Sequence, residues 1–244
     1  MNESNQSNQS DQLNNKYAKE FELLNNHYRN FKIEFENIKI NDFANRMEPF
    51  IFLVNQWSCI LGLSVSKCNN YKIRRNIVAN LFDENCDKYT HVETFYFFIN
   101  ECKSENFCEQ SNSNQSNTEQ SNGDQIYLNI QKILHFSEKN NTINKYYTIL
   151  KEFIETKTFE EGCQFLGAIE YVYHLISKDI NEYFEKSKGI APLNHYTVHE
   201  YLDTQHAFDL FECSYDFNSD DTNNNLYSGA DWIICVIKDL LREN

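Results

Sequence analysis

Apolar residues recur along most of the chain at spacings of three and four, the period of an amphipathic helix. The clearest such stripe comprises Phe159, Cys163, Leu166, Tyr173, Ile180 and Phe184. No segment alternates apolar and polar residues between hairpin turns, so the pattern gives β-strands little support. Only 2 Pro and 6 Gly occur in 244 residues, which leaves few positions that interrupt a helix. The pattern predicts an all-α protein.

The periodicity divides the chain into helices joined by short polar segments. The predicted helices are 16–38, 41–65, 71–84, 88–103, 126–139, 142–156, 158–186, 194–215 and 228–242. The polar phrase from Asn218 to Asn225 is predicted to separate the last helix from the others. We expect the helices to pack as one bundle around a shared core.

Two tracts of Ser, Asn and Gln contain almost no apolar residues, residues 1–14 and 104–125. Neither tract can bury enough surface to offset the entropy lost on ordering, so both are predicted to be disordered. The first is then a polar tail. The second is a low-complexity insert within a single helical domain that spans 15–244.

Charge and composition narrow the partners and the location. The net charge of −14, without a basic stripe, predicts that nucleic acid is not a partner. The first residues lack a basic region followed by an apolar one, which predicts a cytoplasmic protein. The most apolar stretches, 50–54 and 232–237, are much shorter than the ~20 residues of a membrane span, so no membrane contact is expected. The 8 cysteines form no CxxC pair and are predicted to be reduced thiols.

Glu170 stands on the apolar stripe of the helix predicted over 158–186. A carboxylate buried there without a partner would be costly, so a compensating group from another helix is expected. A metal ion would serve. The alternative is a buried ion pair with a basic residue: Arg74, Arg75 or Lys178.

His199, Asp203 and His206 are spaced at i, i+4 and i+7, which places them on one helix face over two turns. Tyr196 and Leu210 extend this face, which indicates that it points inward. Imidazole and carboxylate together suit iron, manganese or zinc. The competing interpretation is a solvated polar face, which is ordinary on a surface helix.

A third region sets Glu84 seven residues before His91, and Phe95 and Phe98 continue the face of that histidine. The alternative for this pair is an ordinary helix terminus. Combined with the other candidates, the set has three carboxylates and three imidazoles: Glu84, His91, Glu170, His199, Asp203 and His206. Two metal ions need about that many protein ligands, and two ferrous ions would leave the site nearly neutral. The Glu-x-x-His pairs of ferritin-like bundles do not occur in the sequence, which disfavours that packing.

The other histidines and the tyrosines complete the candidate chemistry. His27, His135, His174 and His195 lack partners at ligand spacing and are predicted to be ordinary core or surface residues. A tyrosine beside an oxidising metal centre could react, and four lie near the predicted ligands: Tyr171, Tyr173, Tyr196 and Tyr201. Of these, Tyr171 and Tyr196 are predicted to be catalytic.

The order of these motifs, E-x6-H, then a Glu in a G-x-x-E helix, then HxxxDxxH, resembles the haem-oxygenase-like diiron oxidases. The resemblance runs from about Asn41 to Phe211. The phrases RRNIVANLFDEN and HVETFYFFI resemble the second and third core helices of that family. The resemblance implies that the six residues named above are iron ligands.

The resemblance also implies a haem-oxygenase-like helical bundle of about seven core helices, often a homodimer. Its non-haem centre would hold two iron ions, or iron and manganese, and would use dioxygen to oxidise a small organic substrate. Family chemistries include N-oxygenation, oxidative C–C cleavage and formation of para-aminobenzoate from the protein's own tyrosine. Fold and ligands do not choose among these reactions, and the electron donor is unknown.

Two other classes stay open at this point. The thiaminase II type shares the topology but uses a cysteine nucleophile without metal, and Cys163 is the candidate here. That hydrolase would survive chelators but not thiol alkylation. The second alternative is a non-catalytic interaction protein with an acidic surface and a merely structural polar core.

Overall fold

The computed structural model describes residues 16–35, 38–85, 89–104, 119–188, 195–214 and 220–242, and their regular secondary structure is entirely helical. The predicted all-α class is therefore confirmed. The predicted tail, 1–14, lies outside the described residues, as does 105–118 of the predicted insert.

The helices follow one another as α1 (Ala18–Asn30), α2 (Ile40–Met47), α3 (Ile51–Lys67), α4 (Tyr71–Asp83), α5 (His91–Lys103), α6 (Glu119–Ser137), α7 (Asn141–Thr156), α8 (Phe159–Lys188), α9 (His195–Glu212) and α10 (Asp220–Arg242). A 3-10 turn, Glu48–Phe50, joins α2 to α3.

Near the N-terminus, two predicted helices differ from the observed ones. The helix predicted over 16–38 ends at Asn30. Ile33 and Phe35 enter the core from the non-helical segment that follows it. The helix predicted over 41–65 is divided at the 3-10 turn, where Pro49 lacks the N–H that a continuous helix needs.

Two polar tracts are helical where the sequence analysis predicted none. Helix α6 begins at Glu119 rather than 126, and within it the amide of Gln125 donates to Asn129 one turn on. Helix α10 begins at Asp220 rather than 228. The amide of Asn225 there is buried and donates to Gln164 Oε1 over 2.8 Å, so this polar position faces the core with its hydrogen bond satisfied.

By length and composition alone, one helical stretch of the described chain could cross a membrane, Ile40–Lys67, with a mean hydropathy of 1.4 in its most apolar part. That part is 39% buried within the fold, and a core helix of a soluble protein can have the same length and composition. Freedom from membrane contact therefore stays a prediction.

Helix α8 runs through the middle of the bundle and packs most extensively against α9 and then α10. Small residues allow these close crossings. A Cβ on Gly167 would come within 2.5 Å of the Phe211 ring on α9. On the other side, a Cβ on Gly229 of α10 would clash with the Phe165 carbonyl of α8. The backbones of three helices are thereby drawn together around the centre of α8.

Candidate metal centre

The six predicted ligands come together in the interior, and all are buried. Helix α8 supplies Glu170, and one face of α9 supplies His199, Asp203 and His206. The remaining two flank the junction between α4 and α5: Glu84 directly follows α4, and His91 is the first residue of α5.

A capping box fixes where α5 begins and hence where His91 lies. The Thr90 hydroxyl accepts a hydrogen bond from the Glu93 backbone N–H, and the Glu93 carboxylate accepts one from the Thr90 N–H over 2.8 Å. Such reciprocal caps satisfy the free N–H groups at a helix start. His91 is therefore held at a defined helix end rather than on a frayed terminus.

Distances within the cluster are those of side chains that share one site. One ligand atom from each of Glu84, Glu170 and His206 lies within 4.8 Å of the other two. His206 Nδ1 is 3.9 Å from Asp203 Oδ1. Glu84 Oε2 is 2.8 Å from Nδ1 of His91, whose ring centroid is 4.7 Å from that of His199.

Several buried polar atoms of this cluster have no hydrogen-bond partner among the described residues. They are Glu84 Oε1, His199 Nε2, Asp203 Oδ2 and His206 Nδ1. A buried polar atom without a partner costs about 1–3 kcal/mol. All four are carboxylate oxygens or imidazole nitrogens, the atoms that bind transition metals. The donor set therefore fits a bound metal.

Burial and neighbouring carboxylates raise the pKa of two of the three acids. Burial and the charges of Asp203 and Glu84 raise the pKa of Glu170 well above its usual value. Burial and Glu84 do the same for Asp203. Burial also raises the pKa of Glu84, but its hydrogen bond and attraction to His91 outweigh this and bring it below the usual value. A cation would relieve this repulsion.

The histidines of α9 are uncharged in this environment. Burial, together with the charge of His91, lowers the pKa of His199 to about 3. Burial likewise lowers the pKa of His206. Neutral imidazole is the form that binds metals. His91 differs, because its contact with Glu84 outweighs burial and raises its pKa.

One hydrogen-bond partner of Glu170 is a residue that the sequence analysis did not single out. Trp57 on α3 donates from Nε1 to Glu170 Oε1 over 2.9 Å. The predicted alternative, a buried ion pair with a basic residue, is not what the described contacts show: the ion-pair contact of Glu170 there is with His206. Arg74 instead donates to the Cys68 carbonyl. The sequence analysis did not single out Trp57, because apolar residues lie on several faces of α3 and Trp57 is flanked by the polar residues Gln56 and Ser58.

Tyr173, rather than Tyr171, faces the cluster. The Tyr173 ring centroid is 4.9 Å from that of His199. Tyr171 turns toward α1, where its hydroxyl accepts from Asn25 over 2.7 Å and its ring stacks on Phe21. Tyr171 therefore points away from the ligands, since one residue along a helix turns the side chain by about 100°. Its predicted catalytic role stays a prediction.

The other two candidate tyrosines lie farther from the ligands. Tyr196 is fully buried against Phe98, with ring centroids 5.0 Å apart, and its ring is 6.1 Å from that of Tyr173. It adjoins the cluster through Tyr173, and a catalytic role stays a prediction. Tyr201 is 75% exposed and points away.

His195, predicted to be an ordinary core or surface residue, is buried, and both of its ring nitrogens have hydrogen-bond partners. Nδ1 lies 3.1 Å from the Thr94 hydroxyl and Nε2 lies 3.1 Å from the Tyr173 hydroxyl. It therefore has no free nitrogen for a metal and instead holds Tyr173 in place.

A small cavity of about 50 Å³ adjoins the ligands. Its wall is mostly apolar and includes Phe50, Leu53, Val54, Trp57, Ile169, Tyr173, Trp232 and Ile233, while Glu84, Glu170 and His199 form its polar side. A water molecule needs roughly 10–15 Å³ measured in this way, so the cavity admits a small molecule beside the ligands.

Cys163, the candidate nucleophile of the metal-free alternative, lies apart from this cavity. Its side chain is buried, and burial together with the neighbouring Cys213 raises the pKa of its thiol well above the usual value. A thiolate is the reactive form of cysteine, so this environment disfavours nucleophilic chemistry.

Comparison with known proteins gives no relative from which a role could be transferred: no protein-family model matches the chain, and no curated protein matches it. The function must therefore be inferred from the cluster itself.

Proposed function

We propose that this protein is a non-haem diiron oxidase or oxygenase that uses dioxygen to oxidise a small organic substrate. The observation that carries the proposal is the convergence of unpartnered, buried carboxylate oxygens and imidazole nitrogens on one point. Four of these atoms belong to Glu84, His199, Asp203 and His206. His91 and Glu170, which are buried beside them, complete the six residues singled out in the sequence.

The proposal of two metal positions rests on the number of these donors, since two metal ions need about six protein ligands. Glu84, Glu170 and His206 form the tightest group, and the other three adjoin it. Mixed carboxylate and imidazole donors suit iron, or iron with manganese. When bound, a reduced iron pair would supply electrons and open coordination positions for dioxygen.

The chain's own residues would prepare the surroundings of that chemistry. The Trp57 indole orients Glu170, and the apolar wall of the cavity excludes water from the ligands. A small organic substrate would enter beside Tyr173 and His199. A substrate larger than the cavity would need α3 or α10 to move, because both contribute to its wall.

The proposal retains the haem-oxygenase-like topology, because the ligands fall in the chain order that the resemblance implies. We also propose that the protein is a cytoplasmic homodimer and that it receives electrons from a separate donor. It is proposed to bind neither nucleic acid nor membranes. The metal-free hydrolase is not retained, since the surroundings of Cys163 disfavour a thiolate.

The deciding experiment loads the protein with Fe²⁺ under anaerobic conditions, removes unbound metal and counts iron per chain by elemental analysis. About two irons per chain are expected, with an optical transient when oxygen is admitted. The same measurements are made on the double variant His199→Ala/His206→Ala, which should lose both the iron and the transient.

Matched controls separate loss of metal from loss of fold. His135→Ala removes an exposed histidine of α6 and should keep the iron content of the parent. Asp203→Asn preserves side-chain shape while removing the charge, so it should lose iron with unchanged circular dichroism. A parent protein that binds no iron, or a double variant that binds as much as the parent, would sink the diiron proposal.

A further inference from the structure

Asp83, the last residue of α4, contacts the candidate centre from outside the ligand set. Its carboxylate accepts a hydrogen bond from His206 Nε2 over 3.4 Å. The side chain of His206 is 2% exposed and that of Asp83 is 47% exposed, so the contact lies where the cluster meets solvent.

Asp83 occupies an unfavourable place for an acid. A carboxylate at the C-terminal end of a helix is repelled by the partial negative charge of the free carbonyls there. The last turn of α4 contains no basic residue that would offset this, and the next residue is the acid Glu84. The placement of Asp83 is therefore not explained by the stability of α4.

The contact determines which nitrogen of His206 is free. A neutral imidazole carries one proton, and a proton on Nε2 leaves a lone pair on Nδ1. Nδ1 is buried without a hydrogen-bond partner and faces Glu170 Oε2 and Asp203 Oδ1, each 3.9 Å away. The nitrogen directed at the other candidate ligands is thus the one that a hydrogen bond from Nε2–H to Asp83 would leave unprotonated.

We propose that Asp83 is a positioning residue that holds His206 in the Nε2–H tautomer, so that Nδ1 is presented to a metal. This inference rests on the proposed function. Metal-binding histidines commonly donate their second N–H to a carboxylate, which fixes the ring and strengthens the ligand, and loss of that partner weakens metal binding about 10–100-fold.

The first measurement needs no metal. In metal-free protein labelled with ¹⁵N-histidine, at a pH near 8 where the His206 ring is neutral, nitrogen chemical shifts report its tautomer. His206 should be Nε2–H in the parent and should shift toward Nδ1–H in Asp83→Ala. Asp83→Asn should restore much of the parent pattern, because its amide oxygen can accept the same hydrogen bond.

The second measurement is Fe²⁺ affinity under anaerobic conditions, by competition with a coloured chelator. Asp83→Ala should bind about 10–100-fold more weakly than the parent. Its thermal stability without metal should not fall, because an acid is removed from a helix C-terminus. Glu155→Ala, which removes an exposed acid from the last turn of α7, is the matched control and should leave the tautomer and the affinity unchanged.

An Asp83→Ala protein that keeps His206 as Nε2–H, or that keeps the parental Fe²⁺ affinity, would overturn the inference. The two proposals fail in different ways. A parent that binds no Fe²⁺ contradicts the diiron proposal, whereas the tautomer of metal-free His206 tests Asp83 by itself.

Discussion

The hydrogen bonds around His195 have only one consistent direction. The Thr94 hydroxyl donates its single proton to the His91 carbonyl over 2.9 Å, so it must accept from His195 Nδ1–H. Burial, with the charges of His199 and His91, lowers the pKa of His195, and a neutral ring has no second proton. His195 Nε2 therefore accepts from the Tyr173 hydroxyl. These hydrogen bonds connect the backbone of α5 to the Tyr173 hydroxyl and so position that hydroxyl at the cavity.

Replacing Thr94 by Val tests this chain. The change leaves the His195 Nδ1–H buried without an acceptor, which should lower the free energy of unfolding by about 1–3 kcal/mol. Thr156→Val is the matched control, because the Thr156 hydroxyl also donates to a helix carbonyl, that of Glu152, but is exposed and bonds no histidine. Denaturant unfolding should show a loss for Thr94 several times that for Thr156. Equal losses would contradict the assigned directions.

Glu170 shows a conflict between stability and metal binding in a single side chain. Burial and two neighbouring carboxylates oppose its charge, so Glu170→Gln should leave the metal-free protein at least as stable as the parent. The same change removes a ligand charge and should weaken Fe²⁺ binding by at least tenfold. Thermal unfolding and chelator competition measure the two effects.

Glu182→Gln provides the control on the same helix, since Glu182 is exposed and pairs only with Lys186 one turn on among the contacts described for it. It should change neither quantity. A Glu170→Gln variant that is much less stable than the parent, with unchanged Fe²⁺ affinity, would mean that Glu170 is a structural residue.

Side-chain identities were more predictable than side-chain neighbours. The spacing of His199, Asp203 and His206 and the apolar stripe around Glu170 were sufficient to predict the buried cluster. Tyr173 could have been preferred to Tyr171 by the same logic, because it shares the stripe of Glu170. Trp57 and Asp83 come from other helices, and their contacts depend on packing that no local period encodes.

At the scale of helices, the approach of α8 to α9 determines whether the ligands of the two helices can meet. Gly167 lies one turn before Glu170, and a Cβ there would come within 2.5 Å of the Phe211 ring and 3.2 Å of the Ala207 carbonyl. Any larger residue must push the helices apart, and Glu170 would move away from His206 with them.

Gly167→Ala should therefore lower the free energy of unfolding by about 1–3 kcal/mol through overpacking and should also weaken Fe²⁺ binding. Gly162→Ala is the matched control on α8. A Cβ there would make an ordinary 3.5 Å contact with Ile154, so the better helix propensity of alanine should stabilise the protein by about 0.5–1 kcal/mol. The two variants should change the free energy of unfolding, measured with denaturant, in opposite directions. Changes in the same direction would contradict the close crossing of α8 and α9.

Helix interiors followed the apolar period, but several helix ends did not. The capping residues of α5 and Pro49 are local signals in the sequence. The first mark the start of a helix, and the second marks a break in one. The start of α10 is not a local signal, because the buried polar side chain of Asn225 in its second turn finds its hydrogen-bond partner, Gln164, on another helix, α8. From composition alone, such a polar residue is predicted to lie in a segment that connects two helices.

For the whole molecule, the cluster links stability to pH. Glu170 and Asp203, with raised pKa values, keep protons that the unfolded chain loses above its carboxyl pKa of about 4. Their contribution therefore makes the metal-free protein less stable as pH rises from that value. His199 and His206 act in the opposite sense: below about pH 6.5 the unfolded chain takes up protons that these buried rings do not.

Metal binding must displace the retained protons, so it should strengthen as pH rises. Mn²⁺, which resists oxidation in air, is a convenient probe. The increase in melting temperature that Mn²⁺ gives over chelator-treated protein should be larger near pH 8 than near pH 6. His199→Ala/His206→Ala should show no increase at either pH. An increase in the parent that shrinks with rising pH would contradict the assigned protonation states.

The contact between Asp83 and His206 joins residues 123 positions apart in the chain. In polymer terms, a metal held by ligands from both regions is a removable cross-link that closes a loop of that length. Closing a loop of about 100 residues lowers the conformational entropy of the unfolded chain, which raises its free energy by about 4–5 kcal/mol. A chain that keeps its metal while its helices unfold would thus begin refolding with the regions around Asp83 and His206 already joined.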